Sequence, residues 1–213
     1  MTALVVIAKE CVEGKVKTRL NPPLTLAEAA DVARASLAVT LRTSNTVPAS
    51  RRILFFDGRV SEVPAEAAGY EVINQPAGTL DRRLGHLFDL MDEPTVLIGM
   101  DTPQLAMADF EGAFEHWPDG ADALFGPALD GGFWALGLRS PQGSLVRGVA
   151  MSRPDTGALQ RARLQEAGLN VRDLRTLRDI DTIEDLEVVG PLVDAPWPWH
   201  SVTRGRAVDG LPR

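Results

Sequence analysis

The sequence predicts an α/β protein: a three-layer α/β/α sandwich on a mostly parallel sheet. Three observations point there. Short, unbroken, β-branched apolar runs such as "TALVVIA" and "TVLIGMD" have the pattern of strands buried on both faces. Segments of helical periodicity alternate with those runs from the first residues onward, which calls for parallel pairing through crossover helices. The 213 residues are enough for one domain with a sizeable core, and they show no internal repeat and no linker.

"TALVVIA" supplies the first strand. "TLAEAADVARASLAVTLRT" reads as a helix, because Thr25 and Glu28 match a capping box and Leu26, Ala30, Ala33, Leu37 and Leu41 recur at near-helical spacing. "RRILFFDG" is a second strand ended by the turn dipeptide Asp57-Gly58, and "YEVINQ" a third. A glycine-containing loop then leads into the helix "LDRRLGHLFDLM", and "TVLIGMD" is the fourth strand. "MADFEGAFEHW" is expected to be helical, and "ADALFGPALDGGFWALGL" to form two strands around a Gly-rich turn. "DTGALQRARLQEAG" follows as a helix, "LNVRDL" as a strand and "IDTIEDLEVVG" as a short closing helix. A single domain over 1–190 is expected. The remainder, 191–213, is rich in Pro, Trp and Gly without any period and reads as an irregular tail, with Trp197 and Trp199 as anchors to the body or to a partner.

A formal net charge of −7 argues against general nucleic-acid binding, which needs a dominant basic surface. A cluster of cations inside an acidic protein is better read as a local anion site. Cys11 is the single cysteine, so no intrachain disulfide forms, and His86, His116 and His200 are too scattered for a zinc site. The apolar run Leu4 to Ala8 is too short for a signal peptide, and no run of about 18 apolar residues exists to span a membrane. A cytoplasmic location is expected, and the oligomeric state stays open.

Four unusual clusters fall at predicted strand ends, where open α/β sheets bind ligands. After the first strand come Lys9, Gly14, Lys15, Lys17 and Arg19. Gly14 lets the backbone turn closely, and the cations could converge on a polyphosphate, Lys as point charge and Arg as fork. The spacing is not that of a Walker A loop, and a solvated surface loop is the plain alternative. Asp101 in "IGMDTPQL" ends a buried strand beside Pro103, and its hard oxygens suit Mg²⁺, although an Asp capping the next turn is also common. In "DIDTIEDL", Asp179 and Asp181 project to one side while Ile180 faces the core. Thr182 and Asp185 already resemble a helix start, which leaves Asp181 to pair with Asp101 on a metal. Asp130, Gly131 and Gly132 form either a plain tight hairpin turn or a contact for an acceptor hydroxyl or amine. Gln75, Gly78 and Arg82 or Arg83 mark another strand end more weakly.

"AKxxxxGxVKTRL", "IGMDTPQL", "GPALDGGFWALGL" and "DIDTIEDL", in this order, resemble a bacterial family with the GT-A fold whose members are labelled nucleotide-diphospho-sugar transferases. The resemblance runs from about residue 3 to residue 190. The family is similar to molybdenum-cofactor guanylyltransferase and phospholactate guanylyltransferase. By that resemblance Lys9, Gly14, Lys17 and Arg19 would bind nucleotide, and Asp101 with Asp181 would hold the divalent metal, Mg²⁺ or Mn²⁺. Where the family has "DGGY" this chain has "DGGF", which removes a hydroxyl.

The expected activity is metal-dependent nucleotidyl transfer from a nucleoside triphosphate to a small phosphorylated acceptor. Lys17, Arg19 and Asp101 would be its catalytic residues, and Lys15, Gln75 and Gly78 would complete the nucleotide site. The rival is a glycosyltransferase with a nucleotide-sugar donor, which would usually show D-x-D where this chain has "GMDTP". A third reading is a catalytically silent binding module whose "WPWH" recruits a partner.

Overall fold

Strand β1 (Ala3–Lys9) is apolar up to its final lysine because it runs through the middle of the sheet with a layer on each face. Its side chains alternate strictly between those layers, as the period of two requires. Leu4, Val6 and Ala8 join a core with helix α1 (Leu26–Asn45), whereas Ala3 and Val5 join a second core with helices α2 (Leu80–Asp89) and α3 (Thr156–Glu166). Strand β2 (Arg52–Asp57) repeats the alternation, with Leu54 and Phe56 facing α1 and Ile53 and Phe55 facing α2. Two helical layers around one sheet are the three-layer sandwich predicted. The structure, a computed structural model, describes residues 1–193.

Strands β3 (Glu71–Asn74), β4 (Thr95–Ile98), β5 (Ala123–Pro127), β6 (Phe133–Leu138) and β7 (Val171–Asp173) complete a seven-stranded sheet of order β3-β2-β1-β4-β6-β5-β7. All neighbours are parallel except β6, which is antiparallel to both β4 and β5 because a tight turn joins it to β5. From β1 the chain moves outward through β2 to β3, then returns to place β4 on the other side of β1. That reversal opens a crevice at the carboxyl ends of β1 and β4. The antiparallel β6 brings its amino end, and hence the 130–133 turn, to the same edge.

Helix α1 begins as its sequence dictates. Thr25 Oγ1 accepts from the Glu28 amide at 3.2 Å, and Glu28 Oε2 accepts from the Thr25 amide at 2.8 Å. The far side of α1 packs Val32 and Val39 against Ile183, Leu186 and Val189 of helix α4 (Ile183–Val189). The capping box predicted at Thr182 and Asp185 starts α4.

One expectation changes. The segment 107–117 is not a helix: one short 3₁₀ turn, Met107–Phe110, is followed by irregular turns. Glu111 and Gly112 take left-handed φ values of 48° and 76°, and the Asp109 carboxylate folds back onto the Ala106 amide. The helix-like spacing of Phe110, Ala113, Phe114 and Trp117 reflects burial in one core, which a compact turn also satisfies. Near the end of the described residues, Gly190–Leu192 continues α4 as a 3₁₀ turn. The rest of the predicted tail, 194–213 with Trp197 and Trp199, lies outside the described residues. No described helix is long and apolar enough to cross a membrane.

Replacing Thr25 by Ala removes the first half of the α1 cap. It is expected to lower unfolding free energy by about 1 kcal/mol in urea titration.

Candidate functional site

The loop after β1 is shaped by two apolar residues hidden among its cations. Val16 is 1 % exposed and Leu20 is fully buried, each anchored in a different core. With both ends pulled inward, Lys17 between them adopts a left-handed φ of 48° and its side chain is only 6 % exposed. The Lys17 Nζ lies 2.7 Å from Asp101 Oδ1 and 2.9 Å from Asp181 Oδ1. Arg19, exposed to solvent, reaches Asp181 Oδ2 at 3.3 Å.

Two residues far apart in sequence meet here because backbone groups pair. The Ile180 amide donates to the Asp101 carbonyl at 3.0 Å, and Gln104 Nε2 donates to the Arg178 carbonyl at 2.8 Å. Ile180 is fully buried, so Asp179 and Asp181 on either side of it face the crevice. Asp185 Oδ2 accepts from the Asp181 amide at 3.2 Å as well as from the Thr182 amide at 2.8 Å, which ties the start of α4 to the site. On the other side, Ser36 of α1 donates to the Met100 carbonyl at 2.7 Å and steadies the turn that presents Asp101.

These elements enclose a cavity of about 610 Å³, within the range of ligand sites. Lys9, Lys15, Lys17 and Arg19 line it together with Asp101, Asp130, Asp179 and Asp181. Ile7, Leu80, Leu84, Leu97 and Phe133 supply apolar wall. Burial alone would lower the Lys17 pKa, but the charges of Asp101 and Asp181 outweigh it and hold the ammonium above the ordinary lysine value. Asp179 goes the opposite way: burial, reinforced by Asp101 and Asp130, pushes its carboxyl up to about 7. Its Oδ1 is buried without a hydrogen-bond partner.

The structure does not bring every predicted residue to this cavity. Gln75 is engaged in the sheet, its Nε2 donating to the Ala8 and Phe55 carbonyls at 3.0 and 2.9 Å and its Oε1 accepting from Arg83 at 2.7 Å. Neither Gln75 nor Gly78 lines the cavity, and Gly14 shapes the loop at φ 71° from outside it. In the 130–133 turn, Asp130 and Gly132 line the cavity whereas Gly131 does not. Gly131 has φ 88°, and a Cβ there would lie 1.9 Å from the Pro154 carbonyl oxygen. Gly157, at the start of α3, donates to the Gly131 carbonyl at 2.8 Å. The double glycine thus seats α3 on the turn, and the hairpin reading accounts for Gly131.

Sequence reasoning passed over the wall made by Met151, Ser152, Arg153, Pro154 and Thr156. "SRPDTG" held a usable signal, since a Pro and a polar residue just before an apolar-periodic run mark a helix start. Arg153 is braced by Asp155, Nε to Oδ1 and Nη2 to Oδ2, each at 2.9 Å. Asp179 was visible as the same-side neighbour of Asp181 but received no role.

Asp101 and Asp181 offer hard oxygens converging on one point, a donor set that suits Mg²⁺ or Mn²⁺ completing its shell with phosphate and water. Among the described residues no group of three or more acid, His or Cys side chains is arranged for a metal ion. The Lys17 ammonium sits where these two carboxylates meet.

The fold is the one seen in solved nucleotidyl and nucleotide-sugar transferases. A protein from Desulfovibrio desulfuricans G20, provisionally named a nucleotide-diphospho-sugar transferase, superposes with a TM-score of 0.79 at 23% identity over 97% of this chain and 95% of that one. A nucleotidyl transferase from Methanothermobacter thermautotrophicus gives 0.54 at 16% identity, covering 90% and 97%. Rv0371c of Mycobacterium tuberculosis H37Rv, in complex with manganese, gives 0.52 at 21% identity, covering 88% and 96%. The chain belongs to the family described as "Uncharacterized protein conserved in bacteria (DUF2064)", whose profile matches residues 25–153. That span contains Asp101 and the 130–133 turn but neither the cationic loop nor Asp181. No curated protein matches the chain.

Gly131→Ala forces both a left-handed alanine and a backbone clash, and is expected to cost about 2 kcal/mol or more in denaturant unfolding. For Asp179 the folded pKa of about 7 lies above the ordinary carboxylate value. Its ionisation therefore opposes folding progressively from about pH 4 upward, and fully above about pH 7. Asp179→Asn is expected to raise Tm at pH 8 and to leave it nearly unchanged at pH 4.

Proposed function

We propose that this protein is a nucleotidyltransferase that moves a nucleoside monophosphate from a nucleoside triphosphate to a small phosphorylated acceptor and releases pyrophosphate. The observation behind this reading is the gathering of four cations and four carboxylates in one cavity at the point where the strand order reverses. Lys9, Lys15, Lys17 and Arg19 form a cationic wall suited to a polyphosphate chain. An acceptor phosphate oxygen attacks the α-phosphorus, forming one P–O bond, while the bond from that phosphorus to the bridging β-oxygen breaks. The departing pyrophosphate keeps the bond's electron pair, and Lys15 and Arg19 offset its charge. Positioning and electrostatics suffice for such transfers, so no side-chain nucleophile is needed.

Asp130 and Gly132 face the same cavity and are the residues assigned to the acceptor, with Arg153 on the adjoining wall. Mg²⁺ or Mn²⁺ held by Asp101 and Asp181 would supply charge neutralisation on the phosphates, in keeping with the manganese complex of the Mycobacterium tuberculosis neighbour. Ile7, Leu80, Leu84 and Leu97 provide an apolar floor able to exclude water beside the phosphates. The chain has a single acid in "GMDTP", which favours nucleotidyl over glycosyl transfer.

Purified protein incubated with each nucleoside triphosphate, Mg²⁺ and a panel of phosphorylated small molecules is expected to release pyrophosphate with one nucleotide and one acceptor class. Turnover of nucleotide sugars alone would move the assignment to glycosyl transfer. Asp101→Asn is expected to lower kcat about 100-fold or more in the productive assay.

A further inference from the structure

The position of Lys17 does not match its expected duty. A phosphate-binding lysine held ready for substrate would point into open cavity, yet this ammonium lies between two carboxylates, 2.7 Å from one and 2.9 Å from the other, with 6 % of its side chain exposed. A divalent ion held by the same two carboxylates, Asp101 and Asp181, would sit beside this ammonium. Two cations drawn to one pair of carboxylates in a largely buried site repel each other strongly. Among the described residues no group of three or more His, Cys, Asp or Glu side chains is arranged to hold an ion without such a pair. Nor does the ammonium stray there by chance: buried Val16 and Leu20 fix the loop on either side of it, and the left-handed backbone at Lys17 aims it inward.

We infer that the Lys17 ammonium and a divalent cation compete for the Asp101 and Asp181 carboxylates, so that the nucleotide-free protein excludes the metal. Lys17 acts as the site's internal cation, neutralising two acids that would otherwise face each other with only the exposed Arg19 guanidinium on Asp181 to offset them. On the nucleotidyl-transfer reading, on which this inference builds, an arriving triphosphate offers the ammonium new oxygens. Lys17 then leaves the carboxylates, and Asp101 and Asp181 would be free to hold a divalent ion beside the nucleotide's phosphates. Lys17 is thus a positioning residue whose flexible four-carbon stem allows the exchange, whereas a shorter or rigid cation would not. Ordered entry of this kind would keep the free enzyme from holding a metal that could act on the wrong phosphate.

Mn²⁺ binding to the full-length chain, followed by electron paramagnetic resonance of the free ion, tests this without any turnover. Lys17→Met keeps the length of the side chain and removes the charge. It is expected to bind Mn²⁺ about 10-fold or more tighter than the unmodified protein, and the gain should vanish in Lys17→Met/Asp101→Asn. In thermal melts about 1 mM Mn²⁺ is expected to raise Tm for Lys17→Met but not for the unmodified chain, since an ion that binds only the folded state stabilises it. Equal or weaker Mn²⁺ binding by Lys17→Met would overturn the competition. If Lys17→Met does not fold, Lys17→Gln, which retains a donor for one carboxylate, replaces it with the same expected sign. Mn²⁺ titrations of the unmodified chain with each nucleoside triphosphate judge the other reading separately. If none raises Mn²⁺ binding, nucleotide use fails while the Lys17→Met comparison stands.

Discussion

A lysine ammonium with 6 % of its side chain exposed needs a counter-charge, and the pairing of Lys17 with Asp101 and Asp181 is the interaction on which the rest of the site depends. Taking the ammonium out of water costs several kcal/mol, repaid only when the carboxylates lie close and well oriented. Each part of the surrounding structure serves that geometry. Val16 and Leu20 bring the lysine in, the Ile180 amide on the Asp101 carbonyl brings the two acids together, and Asp185 holds the Asp181 backbone. Arg19 adds a more exposed charge on the outer oxygen of Asp181, where water screens most of its effect.

The sheet explains why the site lies where it does. Central parallel strands end at one edge, and the chain leaves β1 and β4 in opposite directions, so their following loops cannot cover each other. The antiparallel β6 then adds a turn to the same edge, and α3 is clamped to that turn through contacts only glycine at 131 and 157 permits. A rigid floor with loops of different origin around it is the arrangement that lets one fold serve several transfer reactions.

Charge balance distinguishes this crevice from a simple anion hole. Asp101, Asp130, Asp179 and Asp181 face Lys9, Lys15, Lys17 and Arg19 within one cavity. A site of cations alone would hold any polyanion, while one of acids alone would hold only cations. On the proposed function, interleaving both suits a ligand made of phosphate and counter-ion together, and burial, reinforced by the charges of Asp101, Asp130 and Asp181, drives Asp179 toward its neutral form.

Much of this was legible in the sequence because the relevant signals are local. Buried strands show as unbroken apolar runs, Thr25 with Glu28 and Thr182 with Asp185 announce their helices through hydrogen bonds spanning three residues, and period two sets Asp179 and Asp181 beside a buried Ile180. Helix-like spacing misled at 107–117, since a left-handed pair at Glu111 and Gly112 breaks the helix and still buries the same aromatics. Gln75 looked like a ligand only because its hydrogen bonds run to strands β1 and β2, which lie far away in the sequence. By itself the sequence determined the layers, the strand ends and the residue types gathered there, for these follow from propensity and periodicity. Only the tertiary structure decided that Lys17 meets the acids instead of open cavity, and that 151–156 forms a wall, because both depend on packing between segments whose separation in the chain leaves no periodic trace.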